Sequence, residues 1–489
     1  MAIINNLESM PTMHEDVGAL KTLSGKMGAM SLMLTVLAFS APIAVVEGFI
    51  PLAITFGGPG ACFAFLLSMV ILLMFAVGYL TMSRHAPKPG NFYSFINSGL
   101  GNTAGLGSAF LASFGYLCIL GGSYLFLGIS ASSMLESLGL GAHSWITCAF
   151  GGWLIVSVLG YFNIELSARL LTIAMIIEVV IVMTFNICVI GKGGAEGLNA
   201  YPVTPTAFGN GDMAVALLYT ISVFVGFEAT TLFRDEVTKP DVTIPRATYG
   251  AVIFIGLLYA LSTYAMVSAY GASAWDVAKA TPTSMFADAM GRFVSPAFTQ
   301  VIYSSVTISI FAALLSVHNV LSRYVMNLSI DGAFPNFLSR VHVKHNSPHV
   351  ASMFASAVVF ICLIPLVINT HDASALFGVV VGIGSIGIIF LMSLVCLAVI
   401  GWFARNGIPE GENAFKVFIA PAIAGITLIF ITIFVARHLD LMVGGAPGES
   451  NWILYVLTGV FICGLGMASY FKYFEPKRFA ALGRAHLQQ

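Results

Sequence analysis

Charge is what this chain has least of. Asp, Glu, Lys and Arg together make up 9% of its 489 residues, where soluble domains carry about 25%. So few charges cannot cover a water-facing surface, which excludes a soluble globular protein. An excess of basic residues is missing too. The formal net charge is −1, so nucleic acid is not an expected partner. Cysteines 62, 118, 148, 188, 362, 396 and 463 lie in apolar stretches, with no C-x-x-C pair among them. They read as small core residues rather than disulfides or metal ligands. A nucleotide loop, a zinc-protease motif and triad spacing of Ser, His and Asp are likewise missing, so neither an enzyme nor a cofactor is expected.

What is present is hydrocarbon. Hydrophobic residues reach 58% and mean hydropathy is +0.92. Runs of about 20 apolar residues mark helices that span a bilayer. Twelve are expected, at 29–55, 60–83, 104–134, 144–163, 168–190, 212–233, 247–270, 296–328, 349–369, 374–404, 415–438 and 451–473. The first 26 residues carry Asn5, Asn6, Glu8, Glu15 and Asp16 before a full-length span, which does not fit a cleavable signal peptide. The expected organisation is a cytoplasmic segment over 1–26 and a core of ten spans over 27–404. Spans 11 and 12 follow over 405–473, and a cytoplasmic tail over 474–489. With the amino terminus inside, the outer segments hold only Lys192, Lys279, Arg292 and Arg437 of the 21 Lys and Arg residues. That bias predicts both termini in the cytoplasm.

Two spans are interrupted. Span 6 runs through apolar residues from Ala214 to Phe227 into the carboxylate of Glu228, with Gly226 two residues before it. A charge at the centre of a membrane helix costs about 2.5 to 3.5 kcal/mol on insertion scales. Span 1 holds Pro42, which removes a backbone donor and disfavours helix at Ala41, and then Gly48 and Pro51, which are expected to loosen the next turn. Breaks at corresponding positions of two halves point to a transporter built on an inverted repeat, with its site at the midplane.

Three motifs carry a family resemblance. Span 6 has Gly226-Phe227-Glu228, then Glu236, Lys239-Pro240 and Ile244-Pro245-Arg246. Span 2 is followed by Pro87, Gly90 and Tyr93 in a Pro-x-x-Gly-x-x-Tyr spacing. Span 8 is followed by Arg323, Asp331-Gly332, Pro335, and His342 with Pro348. Together they resemble the amino acid–polyamine–organocation superfamily over nearly the whole chain. The resemblance implies an all-α membrane protein of 12 transmembrane helices, a LeuT-like 5+5 inverted repeat plus two additional helices. One departure is that Ser40-Ala41-Pro42 replaces the usual Gly-Ser-Gly step of span 1, similar to a bacterial branch with Ala-Pro-Leu there.

By position, the resemblance implies substrate contacts from Ser40, Ala41, Ile43 and Ala44 and from Ser222, Phe224, Val225 and Gly226. Half-helix amino ends favour a carboxylate and freed carbonyls an ammonium. Some arginine and agmatine exchangers of the family have an aromatic gate where Ser222 stands, so Tyr219 or Phe224 would cover the substrate here. Glu47 is either an ammonium anchor, a proton carrier or a structural acid. Glu178, in span 5, falls where proton-coupled members place a lysine; it is either a coupling residue or a structural bond to span 1 or 8. Thr307 and Ser309 offer hydroxyl oxygens to a coupling ion. Glu228 either orders span 6 or touches substrate. His318 and Asn319 read as a satisfied polar pair. His342, His345 and His349 have metal-like spacing, but no acid or cysteine supports them, and no metal is expected.

These expectations add up to a permease of the bacterial inner membrane for a small amino acid or organic amine, with uptake driven by H⁺. An exchanger and a Na⁺ symporter are the alternatives within transport. A channel or receptor is the alternative outside it. The lipid bilayer is the surrounding partner, and the protein is expected as a monomer or homodimer.

Overall fold

In a computed structural model, the structure describes residues 27–86, 92–162, 168–342, 347–368, 372–444, 446 and 448–482. The 1–26 segment, residues 87–90 of the second motif, His345, the end of the tail and the side chain of Glu236 lie outside what is described. Among the described residues the chain is helical, and its one β-bridge joins Met27 to Val237.

The helices are α1 (Ala29–Phe39), α2 (Pro42–Gly57), α3 (Ala61–His85), α4 (Phe92–Leu100), α5 (Asn102–Ser137), α6 (Trp145–Tyr161) and α7 (Ala168–Gly191). After a short α8 (Pro205–Phe208) come α9 (Met213–Ser222), a 3₁₀ segment Phe227–Glu236, and α10 (Pro240–Tyr270). The α11 (Ala274–Ala280) and α12 (Met285–Phe293) helices form the connection to α13 (Ala297–Ile330). The chain ends with α14 (His349–Ile368), α15 (Ala373–Asn406), α16 (Ala420–Arg437), α17 (Leu439–Val443), α18 (Trp452–Phe474) and α19 (Pro476–Ala481).

Ten helical stretches of the described residues are long and apolar enough to cross a membrane. The expected count was twelve, and the difference has a geometric origin. Pro42–His85 runs 44 residues with only a Gly58–Gly60 turn inside it, so it counts once. Trp145–Tyr161 is shorter than the rest.

Lipid-facing and core-facing stripes separate at helical spacing. On α7, Ile173, Ile176, Ile177, Val180 and Ile187 are exposed, whereas Met175, Glu178, Val182, Phe185 and Val189 are buried. That division at i, i+3, i+4 and i+7 is what a bundle helix shows when one side meets acyl chains. The long α5 packs on α15, α13, α18 and α6. Its approach to α15 is close enough that a Cβ on Gly384 would sit 2.7 Å from the carbonyl oxygen of Gly115. Small residues at such crossings let dispersion act where lipid removes the hydrophobic drive between helices.

Candidate functional site

The break in span 1 is sharp and confined. Pro42 has no N–H, and the residue before a proline is pushed out of the α region. Ala41 is out of that region, but in the left-handed conformation, φ 46°, ψ 67°, rather than the extended one a following proline favours. The Ser40 hydroxyl donates back to Leu37 O (2.8 Å), closing the end of α1. Pro42 then serves as the first residue of α2, a position its fixed φ suits. The expected loosening at Gly48 and Pro51 does not occur, because α2 continues through both to Gly57. The Thr55 hydroxyl bonds to Pro51 O (2.9 Å) in that stretch.

Span 6 opens earlier than its glycine suggests. The α9 helix stops at Ser222, turns follow, and Gly226 takes φ 115° before the 3₁₀ segment starts. The Ser222 hydroxyl bonds its own helix at Leu218 O. Phe224 is buried and Val225 half-buried within the turns.

These two broken spans lie antiparallel and are tied at both ends. Thr238 N–H donates to Met27 O (3.1 Å) at one end. Asp212 N–H donates to Phe56 O (2.8 Å) at the other. Between those ties, α2 packs on α9 and α1 packs on the 3₁₀ segment. Tyr219 stacks on Phe56 with ring centroids 5.4 Å apart. Its hydroxyl reaches α15 at Gly378 O (2.9 Å).

Three buried carboxylates each meet the amino end of a helical segment. Glu178 Oε2, from α7, accepts from Ile43 N–H (3.2 Å) in the first turn of α2. Glu228 Oε2 accepts from Gly226 N–H (2.8 Å), the residue that caps the 3₁₀ segment. Glu47 Oε2 accepts from Ala287 N–H (3.1 Å) in the first turn of α12. Their residues are 9%, 8% and 1% exposed. A helix start offers unsatisfied N–H groups and about half a positive charge, so it steadies these acids, which have no ion-pair partner among the described residues.

Glu178 and Glu228 have further polar groups around them: the expected hydroxyl of Ser309, and tyrosines that were not among the expected site residues. The carboxyl of Glu178 is approached by Ser309 Oγ without a completed hydrogen bond. The buried Tyr259 hydroxyl of α10 lies near Ser40 and Glu178. Glu228 Oε1 accepts from Tyr116 OH (3.4 Å). Tyr116 lies against Tyr324 at 5.5 Å, and Tyr79 OH bonds Glu228 O (3.1 Å). Tyrosines from α3, α5 and α13 thus converge on Glu228. Only their burial, which depends on tertiary packing, distinguishes them from other tyrosines in the sequence.

The expected residues therefore divide into groups. Ser40, Ala41, Ile43 and Ala44 come together with Glu178 and Ser309. Tyr219 through Glu228 follow the opening in span 6. Glu47 lies further along α2, bonded to the α10–α13 connection rather than to the opened turns. The Thr307 hydroxyl donates to Tyr303 O of its own helix (2.7 Å). His318 finds its partner on α14, with Nε2 2.9 Å from Ser352 Oγ, so the polar pair is not with Asn319. His342 and His349 pack edge-on at 5.2 Å, both against Tyr161.

A multi-pass membrane bundle organised around two opened helices has the build of a transporter. The chain belongs to the amino acid permease family, whose sequence pattern matches residues 32–478. It is similar to the branched-chain amino acid permease BcaP of Bacillus subtilis, 25% identical with 85% of this chain and 86% of that protein covered. The BcaP of Lactococcus lactis is also 25% identical, over 86% and 88% of the two chains. The gamma-aminobutyric acid permease of Escherichia coli is 22% identical over 78% and 81%. The protein is accordingly a membrane transporter and not an enzyme.

Proposed function

We propose that this protein is a secondary active importer of a small zwitterionic amino acid, driven by H⁺ and working by alternating access. Twelve crossings in a LeuT-like 5+5 repeat plus two helices are the architecture this reading requires. The antiparallel pairing of two broken spans supports it, because that pairing is how inverted repeats build a midplane site. The biased distribution of Lys and Arg supports a bacterial inner-membrane orientation with both termini cytoplasmic.

The observation that carries the reading is the bond from Ile43 N–H to Glu178 Oε2. The amino end of α2 is where a substrate carboxylate would be steadied, and the protein's own carboxylate is already there. Protonating Glu178 would remove its charge and free that helix start. Substrate and proton would then favour the same state, which is the condition for coupling two sites. The carbonyls opened around Ser40–Ala41 and Ser222–Gly226 would hold the ammonium. The named relatives act on branched-chain amino acids and gamma-aminobutyric acid. What those substrates share is an ammonium and a carboxylate, and this favours a zwitterion over a diamine.

A second reading, an organic amine or an exchange cycle, draws on Glu47, whose Oε1 has no hydrogen-bond partner among the described residues. Sodium coupling would draw on the oxygens of Ser309 and Thr307, the latter donating to Tyr303 O and keeping its lone pairs for a cation. Uptake of leucine, asparagine, gamma-aminobutyrate and putrescine into proteoliposomes, under an imposed pH or Na⁺ gradient, separates these readings. Uphill uptake of one amino acid under the pH gradient alone is the expected result. Uptake that needs Na⁺, or that is confined to putrescine, overturns it.

A further inference from the structure

Away from the opened helices, a cavity of about 480 Å³ lies where α3 ends, α10 begins and the turn before α16 starts. Arg84, Arg246 and Lys416 line it together with Leu80, Val242 and Phe415. The cations outnumber their partners. Arg84 and Lys416 share one acid, Glu412, at 3.1 and 3.0 Å. Asp241, also at the cavity, is taken by Arg234 at 2.9 Å. Arg246 has no ion-pair partner among the described residues. The Nε of Arg84 is buried without a hydrogen-bond acceptor. Counting these six groups leaves two positive charges and one donor in need of an anion.

Two further observations say what kind. The same lining carries open apolar side chains beside the cations, with Val242 45% and Phe415 44% exposed, so a soluble anion would leave these side chains in water. Phe415 and Lys416 begin a π-helical turn, Phe415–Ile419. Such turns are rare and recur where a protein shapes a site. A basic pocket between membrane helices at their ends matches a phospholipid headgroup, with the acyl chains along those apolar side chains.

We propose that this cavity binds the phosphodiester headgroup of an anionic phospholipid, held by Arg84, Arg246 and Lys416. The site requires a membrane edge only, so it stands independently of substrate and coupling ion.

Native mass spectrometry and thermal melting of the full chain in detergent test it, with phosphatidylglycerol, phosphatidylcholine and inorganic phosphate added separately. Phosphatidylglycerol should be retained and should raise the melting temperature more than phosphatidylcholine or phosphate. Each surface cation contributes about fivefold to anionic-lipid affinity, so R246Q/K416Q should weaken retention by about 25-fold. The exposed Arg246→Gln alone, about fivefold weaker, covers the case in which the double variant does not fold. Equal retention of both lipids, or undiminished retention in either folded variant, overturns the proposal. A phosphate shift as large as that from phosphatidylglycerol makes this a free-anion site and overturns the lipid assignment.

Discussion

Glu178 Oε2 and the backbone N–H of Ile43 join residues 135 positions apart, across the turn where span 1 is open. The bond fastens the core-facing stripe of α7 to the amino end of α2. It relates an acid to a helix end without any intervening cation. An amide at an unsatisfied helix start and a carboxylate out of water each relieve the other's burial.

Replacing Glu178 distinguishes coupling from plain structure. Gln keeps an oxygen that can accept from Ile43, so E178Q should fold and retain substrate counterflow while losing its response to an imposed pH gradient. E178L leaves the Ile43 amide buried and unpaired and should lower stability by about 1 to 3 kcal/mol. Flux assays in proteoliposomes and chemical unfolding in detergent read the two effects. Unaltered pH-driven uptake in E178Q would remove Glu178 from the coupling mechanism.

The backbone at the two breaks makes a prediction of opposite signs. A non-glycine residue in the left-handed region costs about 1 to 2 kcal/mol, and Ala41 is held there at φ 46°. A41G should therefore raise stability by up to about 1 kcal/mol, partly offset by the freedom glycine adds to the unfolded chain. A41V, β-branched, should lower it by more than about 1 kcal/mol. Gly226→Ala should be destabilising by a similar amount, given φ 115°. Thermal unfolding of the three variants checks the order A41G, wild type, then A41V and G226A.

How much of this was legible in the sequence depends on range. Pro42 announces its own break because proline acts on the adjacent backbone, and the helix opens there within two residues. Gly226 announces less, because α9 already ends at Ser222, four residues earlier. Pro51 misleads for the opposite reason: the packed interior holds α2 together through it. The apolar spans follow from composition alone. The partners of the three acids do not, since Ile43, Ala287 and the tyrosines around Glu228 arrive from elements distant in the chain. A backbone amide also leaves no mark in a sequence pattern.

Glu47 gives a prediction about specificity. Its carboxylate is engaged by Ala287 N–H, so it serves the contact between α2 and the α10–α13 connection. E47Q keeps an acceptor and should leave amino acid affinity within about threefold, less than the loss of one ordinary hydrogen bond. E47A removes the acceptor and should cost about 1 to 3 kcal/mol in stability, by the desolvation penalty of the orphaned amide. Isothermal titration and thermal melting separate binding from folding. Loss of amine binding alone in E47Q would return Glu47 to the role of an ammonium anchor.

Glu412 gives a pH dependence with a definite sign. Burial opposes its ionised form, but the bond from Lys416, with Arg84 and His85, outweighs burial and holds the pKa below the usual carboxylate value. A depressed folded pKa means that stability is fully present above the unfolded value of about 4.3 and is lost as pH falls through the folded one. The loop between α15 and α16 should therefore hold firmly at neutral pH and loosen only below about pH 4. Arg84 and Lys416 would then face each other without their shared acid. Melting temperatures measured from pH 7 down to pH 3 should fall more steeply for the wild type than for E412Q, which lacks the titrating group. E412Q should start lower at neutral pH, because two cations lose their partner, and the two curves should converge in acid. Parallel curves over the whole range would mean that Glu412 does not anchor this end of the bundle.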